Sequence, residues 1–139
     1  MGLTEDLKPC GFYDKTAWYR GICDLIILNA DDRLAWVVDY KTSKSTKYAD
    51  KGQLELMALC VFKHFPVVEN IRAGLLFVVC EELVKENYKY STASSLWSKW
   101  YTGFDRMKKA YETDVWNANP SGLCKQHCAV TECVYNGRN

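Results

Sequence analysis

Two apolar segments near the start of the chain, separated by a short polar cluster, predict a β-hairpin. Residues 22–28 (ICDLIIL) and 34–40 (LAWVVDY) are apolar at nearly every position, and residues 29–33 (NADDR) favour a turn. Both segments are apolar on both faces of a strand. This pattern is typical of strands in the middle of a covered sheet rather than at a solvent-facing edge.

Later segments alternate between helical and extended patterns. They predict a polar loop at residues 41–51, a helix at 50–65, strands at 72–80 and 83–90, and a long amphipathic helix at 94–116. Residues 1–17 show no clear period and predict a short irregular or extended lead-in, and residues 117–139 form a tail that contains cysteines. The predicted order β–β–α–β–β–α indicates an α/β fold with a mixed central β-sheet flanked by helices.

Composition narrows the class of protein. A chain of 139 residues with 48% hydrophobic residues predicts one globular domain over residues 1–139. The net charge of +1 excludes nucleic-acid binding by bulk electrostatics, so any DNA contact must be local. No apolar run approaches the ~20 residues of a membrane span, and the N-terminus shows no signal-peptide pattern. We therefore expect a cytoplasmic protein with no membrane partner.

Carboxylates in the predicted hairpin carry the candidate chemistry. Asp24 falls inside the first apolar segment and Asp39 at the end of the second, where a carboxylate is costly unless it is paired, protonated or bound to a metal. Asp39 and Lys41 lie two residues apart, so their side chains leave the same face of a strand. Two carboxylates and an ammonium group at one sheet edge suit Mg²⁺-assisted phosphodiester cleavage. Lys41 could orient or deprotonate the attacking water, or stabilise charge on phosphorus.

The Asp-x-Lys spacing alone is weak evidence. Asp6 and Lys8 have the same spacing in a polar stretch near a proline, where we expect only surface residues. The alternative interpretation of the hairpin is that Asp24 and Asp39 mark strand ends beside a structural salt bridge to Lys41. Its position in an apolar strand distinguishes the Asp39–Lys41 pair from the Asp6–Lys8 pair. It does not decide between a metal site and a structural salt bridge.

The order of several motifs resembles a known nuclease superfamily. Gly21-Ile22-Cys23-Asp24, then Asp39-Tyr40-Lys41-Thr42, then Gln53 at the start of a helix, is similar to the motifs of the PD-(D/E)xK nucleases. The likeness is strongest to their RecB-like exonuclease branch, which includes phage-encoded and CRISPR-adaptation enzymes. It implies a restriction-endonuclease-like core and a metal-dependent DNA nuclease, more often an exonuclease than an endonuclease. A phage-encoded protein would act in the cytoplasm of a bacterial host.

The resemblance also implies roles for individual residues. Asp24, Asp39 and the backbone carbonyl of Tyr40 would bind Mg²⁺ or Mn²⁺, Lys41 would be the catalytic lysine, and Gln53 would reach the site from its helix. The family's helix motif carries a tyrosine where this chain has Met57. An upstream helical segment of the family also has no clear counterpart in the roughly twenty residues before Gly21. We therefore expect either a minimal or a trimmed member.

Cysteines in the tail indicate a second candidate metal centre. Cys124, Cys128 and Cys133 lie close together in sequence with His127 among them, and Cys10 is the upstream candidate for a fourth ligand. RecB-like exonucleases often use such a set for an iron–sulfur cluster, here a 4Fe–4S cluster. A zinc site that includes His127 is the chemical alternative. Three reduced thiols in a packed tail are the remaining interpretation.

Residues around the candidate site leave two questions of function open. Lys44 and Lys47 follow Lys41 in a hydroxyl-rich loop and could contact DNA phosphates, although a solvated loop has the same composition. The alternatives to a nuclease are a catalytically silent nucleic-acid-binding or assembly module on the same fold, and an interaction protein whose only functional part is the cysteine tail. The sequence makes no prediction of the oligomeric state.

Overall fold

The computed structural model describes residues 1–137 of the chain. It contains two compact units, Met1–Thr102 and Gly103–Asn139, and each is described below by itself. The prediction of a single domain over residues 1–139 stays a prediction.

A four-stranded sheet forms the centre of the first unit. Its strands are β4 (Leu25–Asn29), β5 (Leu34–Lys41), β6 (Asn70–Phe77) and β7 (Glu82–Lys89), in the order β4-β5-β6-β7. β5 and β6 are parallel, and the other two pairs are antiparallel. The parallel pair requires a crossover, which is helix α1 (Lys51–His64). The predicted α/β fold with a mixed sheet is confirmed.

Helix α1 covers one face of this sheet. Side chains alternate along β5, so that Ala35, Val37 and Asp39 are buried on one face while Tyr40 is exposed on the other. Seven α1 residues are buried: Leu54, Met57, Ala58, Leu59, Cys60, Val61 and Phe62. The Asp50 carboxylate caps the helix by accepting from the Gly52 N–H, which fixes where the helix begins.

The first hairpin strand differs from its prediction. β4 begins at Leu25, so Asp24 precedes the strand instead of lying within it. β4 is also an edge strand, and Ile27 and Leu28 are 50% and 43% exposed. The prediction of a place in the middle of the sheet is therefore wrong for β4. Composition reports which faces are apolar, but it does not report how many neighbours a strand has.

The N-terminal residues contain short extended strands, the second of the two alternatives predicted for them, but these strands also pair into a sheet, which was not predicted. β1 (Gly2–Leu3), β2 (Pro9–Cys10) and β3 (Tyr19–Arg20) form a small antiparallel sheet in the order β2-β1-β3. Leu3 is completely buried. The Met1 ammonium group donates to the Gly21 carbonyl, 2.8 Å away, and His64 Nε2 lies 2.9 Å from the Gly2 carbonyl oxygen. Strands of two residues are too short to show a period, which explains why the pattern missed them.

Truncating Leu3 tests whether this segment belongs to the core. Leu3→Ala is expected to lower the free energy of unfolding by about 2–4 kcal/mol, because it removes a fully buried side chain and leaves a cavity. Val79→Ala, at a residue that is 52% exposed, is the matched control and should change it by less than about 0.5 kcal/mol. Urea unfolding followed by circular dichroism measures both. Equal midpoints for the two variants would contradict this account of the N-terminus.

Helix α2 (Ala93–Thr113) begins in the first unit and ends in the second. Trp97 is buried and donates from Nε1 to the Glu5 carbonyl, and the Tyr101 hydroxyl donates to Glu5 Oε1. Farther along, Met107 and Tyr111 are 59% and 81% exposed. The amphipathic helix is thus confirmed, but its apolar stripe packs in the core only over its first half.

The second unit ends in a short helix, α3 (Leu123–Gln126), followed by turns. The buried Asn136 side chain organises these turns by donating to the carbonyls of Val130 and Cys128, at 2.7 and 3.4 Å. Among residues 1–137, no helix has the length and apolar character needed to cross a membrane.

Candidate active site

Two elements bring three polar side chains together at the end of strand β5. Asp39 and Lys41 share the β5 face that packs on α1, as their spacing predicted. Gln53 lies in the first turn of α1, whose start is fixed by the Asp50 cap. Because α1 crosses over from β5 to β6, its N-terminus returns to the end of β5 where these residues lie.

The three side chains form a closed ring of contacts. Gln53 Nε2 donates to Asp39 Oδ1 at 2.9 Å, and Lys41 Nζ donates to Gln53 Oε1 at 2.7 Å. Lys41 Nζ also lies 2.7 Å from Asp39 Oδ2. Each side chain is therefore held by the other two, and the ammonium group has a defined position.

Asp39 is the most buried of the three. Its side chain is 8% exposed, against 32% for Lys41. The Lys41 contact to Oδ2 is an ion pair without hydrogen-bond geometry, so this buried oxygen has no hydrogen-bond donor among the described residues. A buried carboxylate oxygen without a donor is costly unless a further partner binds it.

Asp24 joins the site from the neighbouring strand. Leu25 pairs with Val38, so the residue before Leu25 lies beside Asp39. Asp24 Oδ2 accepts a hydrogen bond from the Tyr40 N–H at 2.8 Å, which holds this exposed carboxylate at the end of β5. The structure therefore brings all four predicted catalytic residues to one place: Asp24, Asp39, Lys41 and Gln53.

The donor set fits a hard divalent cation. Mg²⁺ and Mn²⁺ prefer carboxylate and carbonyl oxygens, and Mg²⁺ sites commonly use only one or two carboxylates, with water filling the rest. Asp24, Asp39 and the Tyr40 carbonyl are such donors. Among the described residues, Asp39 Oδ2 is contacted by the Lys41 ammonium group, 2.7 Å away, and by no hydrogen-bond donor of suitable geometry. These residues could hold the ion at the end of β5.

Comparison with protein families agrees with this geometry. The family model of the PD-(D/E)XK nuclease superfamily matches residues 8–133. The chain belongs to the PD-(D/E)XK nuclease superfamily. No individual curated protein and no solved structure matches it significantly. The superfamily match indicates a nuclease fold. It also implies that the substrate is a nucleic acid. Members of the superfamily typically use Mg²⁺ or Mn²⁺.

One departure from the nuclease motifs has a structural explanation. Met57 lies one helical turn after Gln53, where the resemblance leads to a tyrosine, and it is only 2% exposed. Its side chain is part of the hydrophobic core of this nuclease. In this chain the helix therefore contributes Gln53 to the site and uses the next position for packing.

Cys23 directly precedes Asp24 and lies near the site. In an alternating strand its side chain leaves the face opposite Asp24, which predicts a core residue. Cys23 is half-buried and packs against the core, in agreement with that prediction. Burial raises the pKa of the Cys23 thiol to about 11; the Met1 ammonium group lowers it, and the Asp39 and Asp24 carboxylates raise it further.

The raised pKa makes Cys23 an unreactive thiol at neutral pH. A shift from 9.0 to about 11 lowers the thiolate fraction at pH 8 on the order of 100-fold, and the thiolate is the nucleophile. Iodoacetamide should therefore modify Cys23 about 100-fold more slowly in the native protein than in the urea-unfolded chain, as read by peptide mass mapping. Equal rates in the two states would contradict the placement of Cys23. The linked stability is present below pH 9 and falls as the pH rises towards 11.

The loop after Lys41 places the predicted DNA-binding lysines on the surface. Lys44 and Lys47 are exposed, and Lys47 Nζ lies 5.4 Å from the centre of the Tyr48 ring. The Thr46 hydroxyl donates to Glu82 Oε2 at the start of β7, a contact that sequence patterns did not indicate. This hydrogen bond ties the loop to the sheet beside the site.

The predicted metal centre of the tail has no support in the structure. Across the described part of the chain, no three His, Cys, Asp or Glu side chains come together as a group that could hold a metal ion. The residues of the prediction are Cys10, Cys124, His127, Cys128 and Cys133. The four cysteines among them are partly buried free thiols in the structure.

Proposed function

We propose that this protein is a metal-dependent deoxyribonuclease that hydrolyses DNA phosphodiester bonds at the Asp24–Asp39–Lys41 site. The observation that carries the proposal is the ring of Asp39, Lys41 and Gln53, in which a buried carboxylate oxygen lacks a hydrogen-bond donor. A structural salt bridge between Asp39 and Lys41 does not need the second carboxylate, Asp24, at the same end of β5. A site that binds a cation and orients a lysine beside it does.

Each side chain has a distinct role in this proposal. Asp24 and Asp39, with the Tyr40 carbonyl, hold Mg²⁺ or Mn²⁺. When bound, the ion polarises the phosphate and lowers the pKa of the attacking water. Lys41 binds and orients that water or stabilises negative charge on the phosphate oxygens. Gln53 is a positioning residue, because it fixes the Lys41 ammonium and the Asp39 carboxylate through its two amide atoms.

Substrate contacts beyond the reacting phosphate would come from the loop after β5. Lys44 and Lys47 are exposed close in sequence to Lys41 and can neutralise phosphates without making the whole protein basic. The net charge of +1 agrees with contacts confined to one region. The Thr46–Glu82 hydrogen bond ties this loop to β7 and so restricts its movement when the loop contacts a DNA strand.

Exonuclease action is the form of nuclease that we propose. It rests on the resemblance of the Gly21–Asp24, Asp39–Thr42 and Gln53 motifs to the RecB-like branch. Exonucleases need a free end, so substrate topology distinguishes the two modes of cleavage.

The test uses four DNA substrates with the purified chain. End-labelled linear single and double strands, a circular single strand and a supercoiled plasmid are incubated with Mg²⁺, with Mn²⁺ or with EDTA. We expect metal-dependent loss of the linear substrates, while both circles stay intact. Cleavage of the circular single strand or of the plasmid would show endonuclease activity and contradict the proposed exonuclease activity. DNA binding without cleavage of any substrate would overturn the nuclease proposal in favour of a catalytically silent binding module.

A further inference from the structure

Within the described first unit, one face of the four-stranded sheet is apolar and has no helix packed on it. Side chains of directly paired residues lie on the same face, and the pairs Leu25–Val38, Ile27–Trp36 and Leu76–Leu83 all belong to the face opposite α1. We call it the open face and define it by Leu25, Ile27, Trp36, Val38, Leu76 and Leu83. Ile27 and Leu83 are 50% and 45% exposed, and Trp36 and Val38 are half-buried.

The composition of the strands indicates that the open face is normally covered by another element or molecule. β4 and the first part of β5 are apolar on both faces, as strands in a sheet covered on both sides are. Helix α1 satisfies that pattern on one face only. A contiguous apolar surface of this kind usually marks an interaction site in a soluble protein.

Charged residues at the strand positions of the open face are all cations. The pairing register places Arg72, Lys85 and Lys89 there, and all three are exposed. Within residues 1–137 none of them makes an ion pair. The strand positions hold no Asp or Glu, but Asp32, in the turn before β5, lines a cavity with Arg72 and Lys89. A partner that covers the face would remove cations from water, and carboxylates on the partner would compensate for that loss.

A depression on the open face offers a place for an apolar anchor. The Leu83 side chain packs over Gly74, where an added Cβ would come within 2.8 Å of Leu83 Cδ1. Beside this contact lies a cavity of about 320 Å³, whose lining includes Trp36, Val38, Arg72, Leu83, Lys85 and Glu86. Its one carboxylate, Glu86, forms an ion pair with Lys51, which leaves Arg72 and Lys85 as the charges of the depression that have no ion-pair partner within residues 1–137.

We propose that the open face docks an amphipathic helix of a partner protein, with an apolar stripe flanked by Asp or Glu residues. The apolar stripe would cover Ile27, Trp36 and Leu83, as a helix covers a sheet face in a two-layer fold. The flanking carboxylates would pair with Arg72 and Lys85. A second copy of this chain is a poorer occupant, because a face-to-face dimer would bring like charges together. Nucleic acid is also poorer, because it offers nothing to the aliphatic side chains.

The test is a display library of helical peptides with a constant Leu/Ile stripe and flanking positions that vary among Glu, Gln and Lys. Selection on the immobilised parent protein should enrich Glu over Lys at the flanks by at least about tenfold. On Arg72→Glu/Lys85→Glu the preference should reverse to Lys. Ile27→Asp should abolish enrichment, and Val79→Asp, an exposed apolar residue outside the open face, should leave it unchanged.

Four outcomes would overturn the proposal. They are no enrichment on the parent, the same flank preference on the charge-reversed variant, undiminished selection on Ile27→Asp, and displacement of a selected peptide by a single-stranded oligonucleotide. The last would assign the face to nucleic acid. Sedimentation of the parent alone adds a fifth: a dimer that Ile27→Asp dissociates would assign the face to a second copy. None of these results depends on whether the protein cleaves DNA.

Discussion

Asp39→Asn is expected to reduce DNA cleavage by at least ~100-fold while the protein stays folded. The change removes the negative charge that would hold a cation. A catalytic metal ion stabilises the transition state by several kcal/mol. Each ~1.4 kcal/mol lost from this stabilisation lowers the rate tenfold. The shape of the side chain is retained, and Gln53 Nε2 can still donate to the remaining oxygen. Cleavage of end-labelled DNA and the melting temperature are measured on the same preparation.

The stability of Asp39→Asn distinguishes a catalytic role of Asp39 from a purely structural one. Replacing the carboxylate by a neutral amide breaks its ion pair with Lys41, but the ammonium group that remains is 32% exposed and can be hydrated, so the free energy of unfolding should fall by no more than ~1–2 kcal/mol. If Asp39 were only half of a structural salt bridge, the variant would lose stability and retain the chemistry of the site. Parent-like cleavage by folded Asp39→Asn would contradict the assignment of Asp39.

Lys41→Met is expected to lose both cleavage and stability. Removing the ammonium leaves the Asp39 carboxylate buried without its cation, and breaking a buried pair costs several kcal/mol. Because the Lys41 side chain is 32% exposed, water can compensate in part, so we expect a loss of about 1–3 kcal/mol. Cleavage should fall by at least ~100-fold, as when a single charge-stabilising group is removed. Urea unfolding and single-turnover cleavage measure the two effects.

A matched pair and a double variant control this experiment. Lys8→Met alters a lysine with the same Asp-x-Lys spacing, 3.8 Å from Asp6 at an exposed site, and should leave both stability and cleavage unchanged. Asp39→Asn/Lys41→Met should regain most of the stability lost in Lys41→Met, because no buried charge remains, but it should not regain cleavage. Recovered cleavage in the double variant would show that neither residue acts in the reaction.

Local patterns account for part of the arrangement of the candidate site. Asp39 and Lys41 share a face because side chains alternate along one strand. Gln53 was predicted from the resemblance to the nuclease motifs, and the Asp50 cap fixes its place in the first turn of α1. The parallel pairing of β5 and β6 then makes α1 a crossover whose start returns to the end of β5, a pairing that the sequence pattern did not specify.

Other features depended on pairing that the sequence does not encode locally. Leu3 is part of the core only because two-residue strands pair near the N-terminus, and Asp24 reaches the end of β5 only because of the hairpin register. The edge position of β4 is also a property of the whole sheet. Cysteine spacing in the tail gave a metal prediction that the described structure does not support, since proximity in sequence does not make thiols converge.

The most direct measurement of the central claim is the rate of DNA cleavage against Mg²⁺ concentration, for the parent and for Asp24→Asn. Asn can still accept from the Tyr40 N–H, so the strand end is preserved while one carboxylate charge is lost. We predict no cleavage in EDTA, saturable activation of the parent, and for Asp24→Asn a rate reduced by at least ~10-fold together with a higher Mg²⁺ requirement. Cleavage by the parent in EDTA, or superimposable Mg²⁺ curves for the two proteins, would contradict the claim that these carboxylates form a metal-dependent nuclease site.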